Sequence, residues 1–187
     1  WWTDSAKEFA AASKKVRSQR PLAHYQGIPN RPQSNAVAER AIKTLTEGTR
    51  CVLQRAGFPA SWYPLAMMMF ALCYSASFLD SLGKSPAFKR FGEDAPYQVY
   101  PFGSLVFYKP PVQNVQDVQP KFESRLLPGV LVGIGMGPGM KWDHTYKVVP
   151  LHKMLGSQRA SKVNIRRLCD VKFPETPTFP MSQRLTF

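Results

Sequence analysis

The sequence predicts an α+β protein, with its helices in the first half and its strands in the second. Three observations carry that expectation. Residues 34–56 place apolar side chains at helical spacing, with charged and polar ones three or four apart on another face. Residues 61–79 contain no charged side chain and are mostly apolar. Beyond about residue 98, strand-favouring runs are bounded by glycine and proline. At 187 residues, 44% of them hydrophobic, the chain can bury a core and fits one domain or two small ones.

Taken in order, residues 1–3 read as the end of a strand. Residues 5–20 read as a helix that Pro21 stops. Residues 22–28 are a short strand candidate that runs into a loop, where Pro29 and Pro32 forbid regular pairing. Ser34 or Asn35 can cap the next helix, which runs to about Ala56 and is ended by Gly57 and Pro59. Val37, Ala41, Leu45 and Val52, flanked by Ala38, Ile42 and Leu53, form its apolar stripe; Arg40, Lys43, Glu47, Arg50 and Gln54 form the other face. One side suits a core and the other suits phosphates.

Residues 61–77 read as a buried helix. The uncharged run is only just long enough for a membrane span, and it contains Pro64, Ser75 and Ser77, so a buried position is expected and no membrane. Met67-Met68-Met69 within it are expected to fill the core. Gly83-Lys84-Ser85-Pro86 opens a short helix through Arg90. Residues 101–109, 126–134 and 145–151 read as strands, with 110–120 a polar connector. The glycines between Gly133 and Gly139 resemble a nucleotide loop, but no helix-forming run follows, and a hairpin tip is expected. Arg166-Arg167-Leu168-Cys169-Asp170 reads as a solvated basic edge. Three segments result: 1–97, a β-rich module at 98–173, and a proline-punctuated tail at 174–187 expected to be unfolded.

The formal charge is +13, which points to a polyanionic partner, most simply nucleic acid. It is unevenly spread. Residues 1–55 carry ten Lys/Arg against four Asp/Glu and residues 121–187 eleven against four, while residues 56–120 carry four of each. Cys51, Cys73 and Cys169 lack ligand spacing, as do the three histidines, so no zinc site is expected. A reduced intracellular setting, nuclear or cytoplasmic, fits idle thiols. No charged segment followed by an apolar one marks a signal peptide, and the opening Trp1-Trp2 makes an upstream continuation the expectation.

Two carboxylates stand apart from the rest. Asp4 follows an apolar strand end, and Glu39, 35 positions on, falls at the start of the basic helix. In-line phosphoryl transfer on DNA uses divalent ions about 4 Å apart to activate the attacking oxygen and steady the leaving one. Hard cations such as Mg²⁺ take carboxylate oxygens. An aspartate aimed by a strand and a glutamate on a helix packed against it can share such an ion.

The phrases around these residues are specific. T-D-S-A-K-E-F resembles the T/S-D-N-G-x-E-F segment of retroviral and retrotransposon integrases, and I-P-N-R-P-Q-S-N-A-V-A-E-R resembles their P-Y-x-P-Q-x-N-G-x-A-E-R segment. Trp62 with Ala66, G-K-S-P, Phe91-Gly92, F-G-S-L-V-F-Y and L-L-P-G-V-L-V-G-I-G follow in the order of the copia-type layout, so the resemblance spans residues 2–155. It implies the C-terminal part of a ribonuclease H-like integrase core, followed by a small SH3/barrel-like module. Asp4 and Glu39 would be the second and third members of an Asp-Asp-Glu triad, catalytic and metal-binding, with Mg²⁺ or Mn²⁺ as cofactor. Asn35, Arg40 and Lys43 match DNA-contacting positions, although Arg40 suits a structural salt bridge equally well.

The chain also departs from that pattern. Ser5-Ala6 replaces Asn-Gly after the aspartate, Ala36 replaces glycine, and the interval between the carboxylates is one residue short. The first triad aspartate and its strands are absent, and two carboxylates carry too little charge to hold two divalent ions. The expectation is DNA integration chemistry at family level and a truncated or decaying copy that is inactive alone. A non-enzymatic nucleic-acid-binding module, and an interaction fragment whose apolar helix forms a homo-oligomer, are the other readings the residues leave open.

Overall fold

A computed structural model describes residues 2–3, 7–19, 25–26, 36–110, 125–156 and 163–182. The chain divides into two compact units, Trp1–Thr44 and Leu45–Phe187. It is mixed α+β, with a two-stranded parallel sheet and a five-stranded antiparallel one.

In the first unit, β1 (Trp2–Thr3) leads through α1 (Lys7–Gln19) to β2 (Tyr25–Gln26). The strands are parallel, with Trp2 beside Tyr25 and Thr3 beside Gln26. Parallel neighbours need a crossover between them, and α1 provides it. That helix ends before Pro21, which disfavours helical backbone at the residue preceding it.

The basic helix is α2 (Ala36–Ala56), with residues 36–44 in the first unit and the rest in the second. Its C-terminus is closed as the sequence implies. Gly57 takes φ +71°, its amide donates to the Gln54 carbonyl at 3.2 Å, and the Phe58 amide donates to the Leu53 carbonyl at 3.0 Å. The helix buries residues towards this end, at Thr49, Leu53 and Ala56, of which Leu53 belongs to the apolar stripe. Val37 and Ile42 are 87% and 62% exposed.

A short 3₁₀ turn (Ala60–Trp62) starts α3 (Tyr63–Ser77), where Pro64 sits in the first turn, a position at which a missing amide forfeits no intrahelical bond. The expectation of a buried helix holds for one face only. Trp62, Ala66, Met69 and Leu72 are buried, while Tyr63, Met68 and Tyr74 on the other side are exposed. Of the three consecutive methionines, only Met69 belongs to the core. Successive residues of a helix face different directions, so a run cannot be buried together unless the helix is surrounded.

The loop after α3 is organised by Asp80. Its carboxylate accepts from the amides of Leu82 at 2.9 Å and Lys84 at 2.8 Å, and pairs with the Lys89 ammonium. Ser85 then caps α4 (Pro86–Phe91) by accepting from the Phe88 amide at 3.1 Å. The Lys89 ammonium, and after it the Lys84 amide, pull the Asp80 carboxyl down to about 2. A carboxyl depressed on folding contributes stability that is present above its ordinary value and lost as pH falls through the folded one. Asp80→Asn is therefore expected to flatten the fall of the thermal midpoint between about pH 4 and pH 2. An acid limb as steep as wild type in that window refutes it.

Beyond α4 the sheet assembles from β3 (Leu105–Tyr108), β4 (Leu127–Met136), β5 (Trp142–Pro150), β6 (Arg166–Leu168) and β7 (Val171–Lys172), in the order β6-β5-β4-β3-β7. All neighbours are antiparallel. The edge strands β6 and β7 are consecutive in the chain, separated by Cys169 and Asp170 alone. Three residue steps reach about 11 Å at most, whereas four flat inter-strand spacings need about 19 Å. The sheet is therefore rolled, and its hollow holds Val106, Tyr108, Val148 and Leu168 within the core. The glycines between 133 and 139 are divided between β4 and the turn that leads into β5, as a hairpin requires. α5 (Leu151–Gly156), not anticipated from the sequence, follows β5 and buries Met154.

One hydrophobic cluster runs from Leu53 through Trp62 and Tyr100 to Val149 and Met181, so packing does not separate the chain at 97/98. Residues there stitch helix to sheet. The Tyr97 hydroxyl donates to the Leu72 carbonyl at 3.2 Å, and the Gln98 amide donates to the Tyr146 hydroxyl at 2.9 Å. The stretch after Pro174, expected to be unfolded, is a strap as far as Ser182. Pro174 accepts from the Tyr100 hydroxyl at 2.9 Å, Thr178 accepts from the Leu105 amide at 2.8 Å, and Met181 is buried. Proline-rich composition weakens local structure, but here distant partners supply the order.

Candidate nucleic-acid interface

The first turns of α2 carry the residues that the sequence singled out. Glu39 lies in the first turn, where unpaired backbone amides favour a carboxylate. Arg40 follows it and Lys43 comes one turn later. At 100° per residue the three side chains leave the helix within an arc of about 100°, and all three are exposed. The Thr44 hydroxyl on the same stretch folds back to donate to the Arg40 carbonyl at 3.0 Å. The arrangement presents one acid and two cations from a single rigid element, which suits contact with a phosphate chain.

Asp4 and Asn35 lie outside the described residues. Asp4 is the residue after β1, and in sheets built from parallel crossovers ligands meet the chain at the carboxyl ends of strands. Among the described residues no group of three or more His, Cys, Asp or Glu side chains comes together. Glu39 is the member of the expected carboxylate pair that is described.

A second cationic surface, within the other unit, was not assigned from the sequence. β5 and β6 set Lys147 directly opposite Arg167. Like charges in cross-strand positions repel. The Lys147 stem lies over Gly133, where an added Cβ would meet it at 3.0 Å. Arg167 stays 63% exposed, with the Asp143 carboxylate 3.7 Å away. Asp143 is already occupied by the Thr145 hydroxyl at 2.5 Å and amide at 3.0 Å. Those bonds, the hydroxyl's first, and then Arg167 hold its carboxyl below the ordinary range. The Arg166-Arg167 pair was the available signal, but only the pairing of β6 shows what it faces.

A small cavity lies within the second unit. Its volume of about 80 Å³, between Val52, Arg55, Met69, Cys73, Phe102 and Phe179, is well below the 300–1,000 Å³ or so of ordinary ligand sites. Burial pushes its thiol, Cys73, up to about 11, which leaves it protonated and unreactive at neutral pH. No helix among the described residues is long and apolar enough to cross a membrane. Compared with models of known protein families, the chain matches none.

Proposed function

We propose that the chain is an integrase-like, DNA-binding element of copia type: the C-terminal part of a ribonuclease H-like core followed by an SH3/barrel-like module. The observation that carries this reading is the exposed Glu39, Arg40 and Lys43 on the first turns of α2. Two features support it. The β1-α1-β2 crossover ends its first strand immediately before Asp4, and the rolled five-stranded sheet follows in the second unit.

In this reading Glu39 and Asp4 offer hard oxygens of the kind Mg²⁺ or Mn²⁺ accepts. The ion, when bound, supplies polarisation of a phosphodiester. Arg40, Lys43 and Asn35 hold the DNA backbone in register, chiefly through phosphate contacts. Two carboxylates bring too little negative charge for two divalent ions, so the chain alone binds DNA without cutting or joining it.

Fluorescence anisotropy with a duplex tests the binding. Affinity is expected to fall steeply between about 50 and 200 mM salt. Arg40→Gln with Lys43→Gln is expected to reduce the log–log salt slope by about 1.8, close to 0.9 for each phosphate left without its cation. An unchanged slope removes α2 from the interface. A strand-transfer assay with Mg²⁺ is expected to yield no product; product that disappears in Glu39→Gln overturns the inactivity.

A non-enzymatic nucleic-acid-binding module is the second reading, favoured by the Lys147–Arg167 pair, since two facing cations engage phosphate without a metal. Strand transfer by a chain extended upstream to an aspartate at a strand end separates the two.

A further inference from the structure

Two hydroxyl side chains in the chain stand directly before a proline: Ser85 before Pro86, and Thr176 before Pro177. Proline has no amide hydrogen. An enzyme cleft that offers no acceptor at that point therefore admits proline and penalises every other residue, whose N–H would be buried unpaired. Proline-directed protein kinases select such dipeptides and phosphorylate the hydroxyl that precedes the ring. Sequence alone offers both residues, and the fold separates them.

Ser85 is already engaged. It is 2% exposed, and its Oγ caps α4 by accepting from the Phe88 amide at 3.1 Å. Everything after it as far as Phe91 is helical, so extended recognition would require α4 to melt. Thr176 is exposed, as is Glu175 before it, and neither belongs to a helix or strand. Pro174, Pro177 and Pro180 recur at every third residue, the period of a polyproline helix. Each ring also biases the residue before it towards extended backbone, Thr176 among them. Local sequence thus shapes this stretch for an extended cleft.

The strap is fastened on both sides of that threonine. Before it, the Phe173 ring meets those of Tyr100 and Tyr146 at 5.0 Å each, and the Pro174 carbonyl accepts from the Tyr100 hydroxyl at 2.9 Å. After it, the Thr178 carbonyl accepts from the Leu105 amide at 2.8 Å, Arg55 stands over Phe179, and Met181 is buried. A kinase cleft closes around residues on either side of the acceptor, so these fastenings must open first. Local opening of a short segment costs less than global unfolding.

We infer that Thr176 is a phosphorylation site for a proline-directed serine/threonine kinase, gated by release of the strap from Tyr100. In that reaction the Thr176 Oγ bonds to the terminal phosphorus of ATP, the anhydride bond to ADP breaks, and the hydroxyl proton passes to the kinase's own base. The product carries about two added negative charges against a chain total of +13, which opposes binding to polyanions. The site itself is independent of the integrase reading.

The folded full chain, incubated with MgATP and a kinase of the mitogen-activated class and mapped by mass spectrometry, tests it. Phosphate is expected on Thr176 and not on Ser85. Thr176→Ala is expected to abolish the label, and Pro177→Ala to slow it at least about tenfold. Tyr100→Phe keeps the ring but removes the bond to Pro174, and is expected to speed labelling about fivefold, the factor carried by one ordinary hydrogen bond. A peptide of residues 171–181, free of its fastenings, is expected to be labelled faster still. No phosphate on Thr176, or as much on Ser85, overturns the site. A rate that is unchanged in Tyr100→Phe and equal to the peptide's overturns the gate.

Discussion

Trp62→Ala is expected to destabilise the second unit by about 3–5 kcal/mol, the range for deleting a buried aromatic. Trp62 is completely buried, stands edge-on to Phe58 at 5.1 Å, and begins the buried face of α3. Phe58 in turn meets Phe102 at 5.2 Å, so the indole anchors a chain of rings from the helices to the start of the sheet. Against a total stability of about 5–15 kcal/mol, such a deficit leaves the unit marginal. Urea denaturation followed by far-ultraviolet circular dichroism reads it as a lower midpoint at unchanged slope. A change below about 1 kcal/mol, the size of a minor surface effect, shows that the ring is not the keystone described.

Gly57→Ala is the second large effect. Gly57 holds φ +71°, a conformation that costs an L-residue about 1–2 kcal/mol. Crowding adds to this. A Cβ on Gly57 would lie 2.5 Å from the Ser182 amide nitrogen and 2.7 Å from the Met181 carbonyl carbon, both backbone atoms that no rotamer change can move. The variant is expected to be less stable by about 2–4 kcal/mol and to release the strap. Limited proteolysis checks the second part, because cleavage within residues 174–182 should accelerate well before global unfolding. Gly92→Ala is the matched control, having φ +80° and no atom within 4 Å of its added Cβ. If both variants are destabilised equally, backbone conformation accounts for everything and the packing against the strap for nothing.

Local signals were the readable part of this chain. Gly57 ends α2, Ser85 caps α4 and Pro21 lies just past α1, each through chemistry contained within a few residues. The arc of Glu39, Arg40 and Lys43 was legible because spacing alone sets which way helical side chains leave. What escaped was set at a distance. β6 and β7 are three and two residues long, and Arg166-Arg167 shows no alternation; they become strands because β5 and β3 offer open edges. The strap is ordered by Tyr100, Leu105 and Arg55, the last standing over Phe179 at 4.9 Å. Composition changes near residue 98 because helices give way to strands, yet a change of element is not a break in packing. The stripe on α2 likewise told which side can pack, not how much of it finds a partner.

The link between β6 and β7 bears on how the protein is made. The two outer strands follow the three central ones in sequence, so while a ribosome is still short of residue 166 the central strands stand with both flanks open. Unpaired flanks recruit other chains, and long-range closures form slowly. Synthesis thus passes through an intermediate with open flanks that residues 166–172 close, and a chain cut before Arg166 is expected to aggregate.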